Sequence, residues 1–94
     1  MTQYRRGRAI EWKARKELES RGFTVIRSAG SKGVFDLVAL DANSLILIQV
    51  KRANRLGKQY PAVIKQIQAV PCPPGTLKQL WVWIDRYGWA RYPV

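Results

Sequence analysis

Asp36, Gln49 and Lys51 are the residues whose types and spacing could do chemistry together. They lie on two β-branched and aliphatic runs, Val34 to Leu40 and Leu45 to Lys51, joined by Asp41-Ala42-Asn43-Ser44, the pattern of a hairpin. A turn centred on Ala42 and Asn43 puts Asp36 opposite Gln49 and Val34 opposite Lys51. Directly opposed residues share a face with Cβ atoms about 4.5–5.5 Å apart, so an Asp carboxylate and a Gln carbonyl oxygen could grip one cation. Lys51 then stands diagonal to Asp36 on the same face. The remaining pairs there, Val38 with Leu47 and Leu40 with Leu45, are apolar, which confines polarity to one end of the hairpin. An ordinary ion pair at a strand end would look the same in isolation. A metal-bound acid beside a lysine, however, is a set that phosphodiester hydrolysis can use, the metal polarising the phosphoryl oxygen and the ammonium steadying water or developing charge.

The elements that must position these residues follow from periodicity. From about Tyr4 to Arg21, Ile10, Ala14 and Leu18 recur every four residues, a helical stripe stopped by Gly22, with Phe23 placed to touch Leu18. Phe23 to Ser28 reads as a strand and Ala29 to Gly33 as a loop. Beyond the hairpin, Arg52 to Gln59 is a polar loop. Pro61 starts a helix to about Val70 with Val63, Ile64, Ile67 and Val70 on its apolar side, and the Pro71–Gly75 stretch ends it. Leu80 to Ile84 is a strand with Leu80, Val82 and Ile84 on one face and Trp81 and Trp83 on the other; Trp89 to Tyr92 is its partner across Arg86-Tyr87-Gly88. The order α-β-β-β-α-β-β describes one mixed α/β domain over residues 1–94.

Composition narrows the chemistry. The 94 residues hold 17 Lys+Arg against 6 Asp+Glu, a net charge of +11, with no histidine and one cysteine. Serine–histidine triads, histidine acid–base catalysis and the usual zinc sites are excluded, and Cys72 between two prolines closes no disulfide within the chain. Between Asp41 and Asp85 there is no acidic residue, while Lys51, Arg52, Arg55, Lys58, Lys65 and Lys78 all fall there. Such a balance suits a polyanion, nucleic acid first and an anionic membrane second, the latter needing a basic amphipathic helix or a lipid anchor, neither of which is obvious. No apolar leader follows Met1, and the aliphatic run Leu45–Ile48 is too short to span a bilayer, so a soluble, cytoplasmic protein is expected, compatible with a virus-encoded chain acting in a host cytoplasm. The aromatic group Trp81, Trp83, Tyr87, Trp89 and Tyr92 invites stacking with unpaired bases, against which packing of the sheet or a subunit interface is the stronger expectation.

Asp36 followed by Gln49-Val50-Lys51 resembles the PD-(D/E)xK nuclease signature, with Gln49 where an acid is usual. The wider string, Gly7-x-x-x-Glu11, Gly22-Phe23, Arg27-Ser28-Ala29-Gly30-Ser31-Lys32 and Asp36-Leu37-Val38-Ala39, resembles the archaeal-type Holliday junction resolvases. The resemblance spans about Arg5 to Lys51. It implies a restriction-endonuclease-like core, Asp36 as main metal ligand, Gln49 at the second ligand position, the Val50 backbone carbonyl as a third, Lys51 as catalytic lysine, Glu11 completing the acidic cluster and Ser31 near the scissile phosphate. It further implies Mg²⁺, with Mn²⁺ as a substitute, and phosphate contacts by Arg5, Arg6, Arg8, Arg27 and Lys32, to which the acid-free stretch adds Arg52, Arg55 and Lys58. The expected partner is a four-way DNA junction, nicked in pairs by a homodimer. Another nuclease on this core, of nicking or flap type, and a non-catalytic basic DNA-binding protein are the alternatives. Gln49 leaves the site one negative charge poorer, and Trp12 follows Glu11 where the family commonly has a basic residue.

Overall fold

The computed structural model describes residues 3–28 and 33–94, with side chains from Arg8 onward. Its elements are α1 (Gln3–Ser20), β1 (Thr24–Arg27), β2 (Leu37–Leu40), β3 (Leu45–Ala53), α2 (Pro61–Gln68), β4 (Thr76–Ile84) and β5 (Gly88–Pro93). The order is the one periodicity implies. The strands form one sheet in sequence order, antiparallel except for the β3–β4 pair, which runs parallel and is joined through α2.

Helix α1 is set by its stripe: Ile10, Ala14 and Leu18 are buried. It ends in a Schellman motif, with the Phe23 N–H donating to the Leu18 carbonyl at 3.2 Å and the Gly22 N–H to the Glu19 carbonyl at 3.0 Å. Gly22 takes φ +93°, where a Cβ would be strained, and Phe23 packs onto the cluster that contains Leu18. The helix covers one sheet face, burying Val25, Leu37, Ala39, Ile46, Ile48, Val50 and Trp81. Helix α2 covers the other, where Ile67 meets Ala53, Leu80, Val82 and Ile84, with Val34 and Phe35 folded against them. Alternation along β3 and β4 supplies both faces, so these central strands carry two cores.

Strand β4 begins at Thr76, four residues earlier than alternation indicates, because Thr76 to Gln79 pair with Leu45 to Ile48. Lys78 explains how this edge closes: its Nζ donates to the carbonyls of Ile67, Gln68 and Val70 at 3.0, 3.3 and 3.0 Å. They lie at the C-terminal end of α2, where a cation suits the helix dipole; the Ile67 carbonyl also accepts the Val70 N–H at 3.2 Å and the Val70 carbonyl the Cys72 thiol at 3.6 Å. Lys78 is therefore a helix cap, not one of the phosphate contacts that the acid-free stretch suggests. Replacing Lys78 with methionine is expected to cost about 1–3 kcal/mol in urea unfolding, since it removes three hydrogen bonds from a charged donor at once.

Trp81, Trp83 and Trp89 pack edge to face, with centroids 5.3 Å apart for Trp81–Trp89 and 5.2 Å for Trp83–Trp89. Packing occupies these three rings, whereas Tyr87 and Tyr92, the other members of the group, are exposed. No helix among the described residues is long and apolar enough to cross a membrane.

Candidate active site

The hairpin register is the one centred on Ala42 and Asn43: Leu37 pairs with Ile48 and Leu40 with Leu45. The ladder stops there. Asp36 does not continue it opposite Gln49; its N–H donates to the Ile48 carbonyl at 2.9 Å, one residue out of register, the offset of a β-bulge. Val34 likewise leaves the position opposite Lys51 and packs in the α2-side core. Apolar burial of Val34 and Phe35 pulls the chain off the sheet, and β2 begins three residues later than the run Val34–Leu40 suggests.

This departure builds the site. Beyond Ile48, β3 has no partner strand on its β2 side among the described residues, and the Asp36 carboxylate fills the gap, its Oδ2 accepting the Val50 N–H at 2.8 Å. A strand residue directs its N–H and C=O toward the same neighbour, so the Val50 carbonyl faces that gap as well. Burial raises the Asp36 pKa above the usual 3.8 as the largest influence, the Val50 hydrogen bond opposes it, the Glu11 charge raises it, and Lys51 and Arg27 lower it. Glu11, Arg27 and Lys51 thus all act on one carboxylate.

Glu11 reaches this place from α1. Its Oε1 accepts from Arg27 Nε at 3.1 Å, with the Glu11 side chain only 16% exposed. Arg27 shares the α1-side face with Val25, so this pair fixes the N-terminal half of α1 over the C-terminal end of β1. Periodicity gives Glu11 no such address. Gln49 and Lys51 point to the opposite face, beside Leu80 and Val82 across the parallel ladder. Asp36 stands at the end of the sheet between Glu11 on one side and Lys51 on the other.

The donor set suits a hard divalent cation. Among the described residues, Asp36 Oδ1 and Glu11 Oε2 accept no hydrogen bond, while the second oxygen of each carboxylate is held in place. Carboxylate, amide and backbone carbonyl oxygens are the ligands such ions take. Among the described residues no three His, Cys, Asp or Glu side chains cluster; Gln49 stands where the resemblance expects an acid.

Charge is distributed along the sheet axis. β1, β3 and β4 run in one direction, which brings Arg27, Lys51, Arg52 and the Asn54–Gln59 loop to the same end as Asp36. Arg55 and Lys58 are exposed there, whereas Arg52 is bonded to Asp85 at 3.1 Å and Arg27 to Glu11. Glu17 and Glu19 lie toward the other end of α1, paired with Arg21 and Arg15, and Asp41 caps the β2–β3 turn through the Asn43 and Ser44 N–H groups. Arg8 is exposed near Glu11. Ser31 and Lys32 fall outside the described residues, as do the side chains of Arg5 and Arg6.

The family model for archaeal Holliday junction resolvase (Hjc) matches residues 2–66, which contain the bulge, Glu11, Asp36 and Lys51. The chain belongs to this family. A crossover junction endodeoxyribonuclease Hjc from Methanocaldococcus jannaschii is 42% identical over 52 residues, covering 55% of this chain and 38% of the relative. The aligned part is therefore well under half the length of that relative. The crystal structure of Archaeoglobus fulgidus Hjc, described as a Holliday junction resolvase, superposes with a TM-score of 0.77 at 25% identity, covering 94% of this chain and 72% of the other. The fold likeness thus extends through β4 and β5, beyond the segment that the family model matches.

Proposed function

We propose that this resolvase-family chain is a divalent-metal-dependent endonuclease that resolves four-way DNA junctions by paired nicks, acting as a homodimer with one site on each of two symmetry-related strands. The observation that carries this reading is the Asp36 carboxylate, held on the Val50 N–H where β2 ends, with Glu11, Arg27 and Lys51 all acting on its charge. Mg²⁺, or Mn²⁺ in its place, would be held by Asp36, Glu11, the Gln49 amide oxygen and the Val50 carbonyl. Such an ion polarises a phosphoryl oxygen and lowers the pKa of bound water.

The chain's own groups do the remaining work. Val50 N–H fixes the orientation of Asp36 and leaves its second oxygen for a ligand. Arg27 fixes Glu11 in the same way. Lys51, which makes no salt bridge with a described residue, offers an ammonium to orient water and offset charge that develops on the phosphate. Arg8, Arg55 and Lys58, with Arg5, Arg6 and Lys32, contribute the phosphate contacts that recognise branch shape without reading sequence.

The test is a gel assay on a labelled four-way junction and its matching linear duplex, with Mg²⁺ or EDTA. Symmetric, Mg²⁺-dependent nicks in the junction alone are the expected result; nicks in nicked or flapped duplexes instead would transfer the reading to another nuclease on this core. Gln49 favours one further reading, a non-catalytic junction-binding protein, because it removes an acid from the site. Salt-sensitive junction binding with no cleavage in either metal would establish that reading.

A further inference from the structure

Trp12 is 60% exposed, although the remaining tryptophans lie within or against the core. It sits on the outer side of α1, one residue after Glu11, away from the stripe of Ile10, Ala14 and Leu18. Arg8, Arg15 and Lys16 are its neighbours at helical spacings of three and four residues. Lys16 Nζ lies 5.3 Å from the Trp12 ring centroid. Arg15 and Lys16 also share Glu19, at 3.1 and 3.9 Å. Beside the indole is an open cavity of about 310 Å³ lined by Arg8, Glu11, Trp12, Arg15 and Arg27.

We infer that Trp12 and this cavity form a subsite for one unstacked nucleotide of a DNA strand, the base lying on the indole and its phosphates facing the arginines. An indole face in water among cations is matched by a ligand that is flat, aromatic and anionic at its edge, which describes a nucleotide. The cavity shares Glu11 with the candidate active site, and Arg27 neutralises that carboxylate within it. A strand whose base rests on Trp12 therefore brings a flanking phosphate to the side of the site where Glu11 lies. Bases in a continuous duplex are stacked on both faces, so the subsite favours DNA with a base freed at a branch or gap. Trp81, Trp83 and Trp89 cannot serve in this way, because their rings are spent on one another.

This inference deepens the junction-resolvase reading, and a binding measurement separates the two. A four-way junction carrying 2-aminopurine at the branch, and the same junction with 2-aminopurine mid-arm, are titrated with the protein in EDTA, alongside Trp12→Ala and Trp12→Phe. Wild-type protein is expected to quench the branch probe and spare the arm probe. Trp12→Ala should lose the quenching and bind the junction about tenfold more weakly, with Trp12→Phe retaining most of both. Unchanged affinity and quenching in Trp12→Ala would overturn the subsite even if the junction is cleaved. So would a change of oligomeric state in that variant, measured by sedimentation, with no change in the probe signal. Conversely, Trp12-dependent quenching by a protein that cleaves no junction would uphold the subsite and remove the resolvase reading.

Discussion

Asp36→Asn is expected to abolish the proposed cleavage, by roughly a hundred- to a thousandfold or more, and to leave the protein folded and at least as stable as wild type near pH 7 without metal. The two halves of this expectation have separate causes. Asparagine keeps an oxygen that can accept the Val50 N–H at the end of β2, so the bulge retains its hydrogen bond. It loses the negative charge that a cation requires. On the stability side, burial raises the folded-state pKa of Asp36 above its ordinary 3.8. Between the two values the folded chain binds the proton more tightly than the unfolded chain, so the contribution to stability is fully present below pH 3.8 and is lost as pH rises through the raised folded value. Above that folded value the ionised carboxylate strains the fold, and its removal relieves that strain. Thermal melts in EDTA at pH 7 and below pH 3.8 check the sign: the advantage of the variant should be present at pH 7 and shrink in acid. A variant that melts far below wild type at neutral pH would show Asp36 to be a structural ion pair, the reading in which it has no catalytic part.

How much of this was legible in the sequence depends on whether a feature is periodic. The α1 stripe, the Gly22 stop and the hairpin register are set by local spacing, and each is found in the fold where spacing puts it. The departure of Asp36 from the ladder is not local. It depends on Val34 and Phe35 reaching a core built by α2 and β4, which are more than twenty-five residues away in the chain. Alternation carried through Val34 accordingly put Asp36 face to face with Gln49, whereas the carboxylate binds the next residue, Val50. Glu11 and Arg27 show the same limit from the helix side. Each looks like a solvated surface charge, and only the docking of α1 brings them together. Lys78 gave no signal beyond its charge, and its use as a helix cap follows from Thr76–Gln79 joining the sheet. The resemblance to the resolvases supplied Glu11 where spacing could not, and it was the departures from the family pattern, Gln49 and Trp12, that left room for this chain's own properties.

Gln49→Glu should produce effects of opposite sign in the absence and presence of metal. Gln49 adjoins Val50, whose N–H the Asp36 carboxylate accepts, and Glu11 already adds negative charge to that carboxylate. A third acid would increase the repulsion, so in EDTA the variant should melt below wild type and the Asp36 pKa should rise further. A divalent cation reverses the balance, because the added charge attracts a double charge from the place where a neutral amide now offers only a dipole. At the effective dielectric of a partly buried site, one extra unit charge a few ångströms from the ion is large enough, after desolvation, to tighten binding on the order of ten- to a hundredfold. Isothermal titration with Mg²⁺ and Mn²⁺ reads the affinity. Melts with and without the metals read the crossing of the two stability orders. If the metal-dependent cleavage of the wild type saturates at high metal concentration, that of the variant should saturate correspondingly lower. A variant destabilised equally with and without metal would place residue 49 outside the coordination sphere, since repulsion would then be all that the new carboxylate contributes.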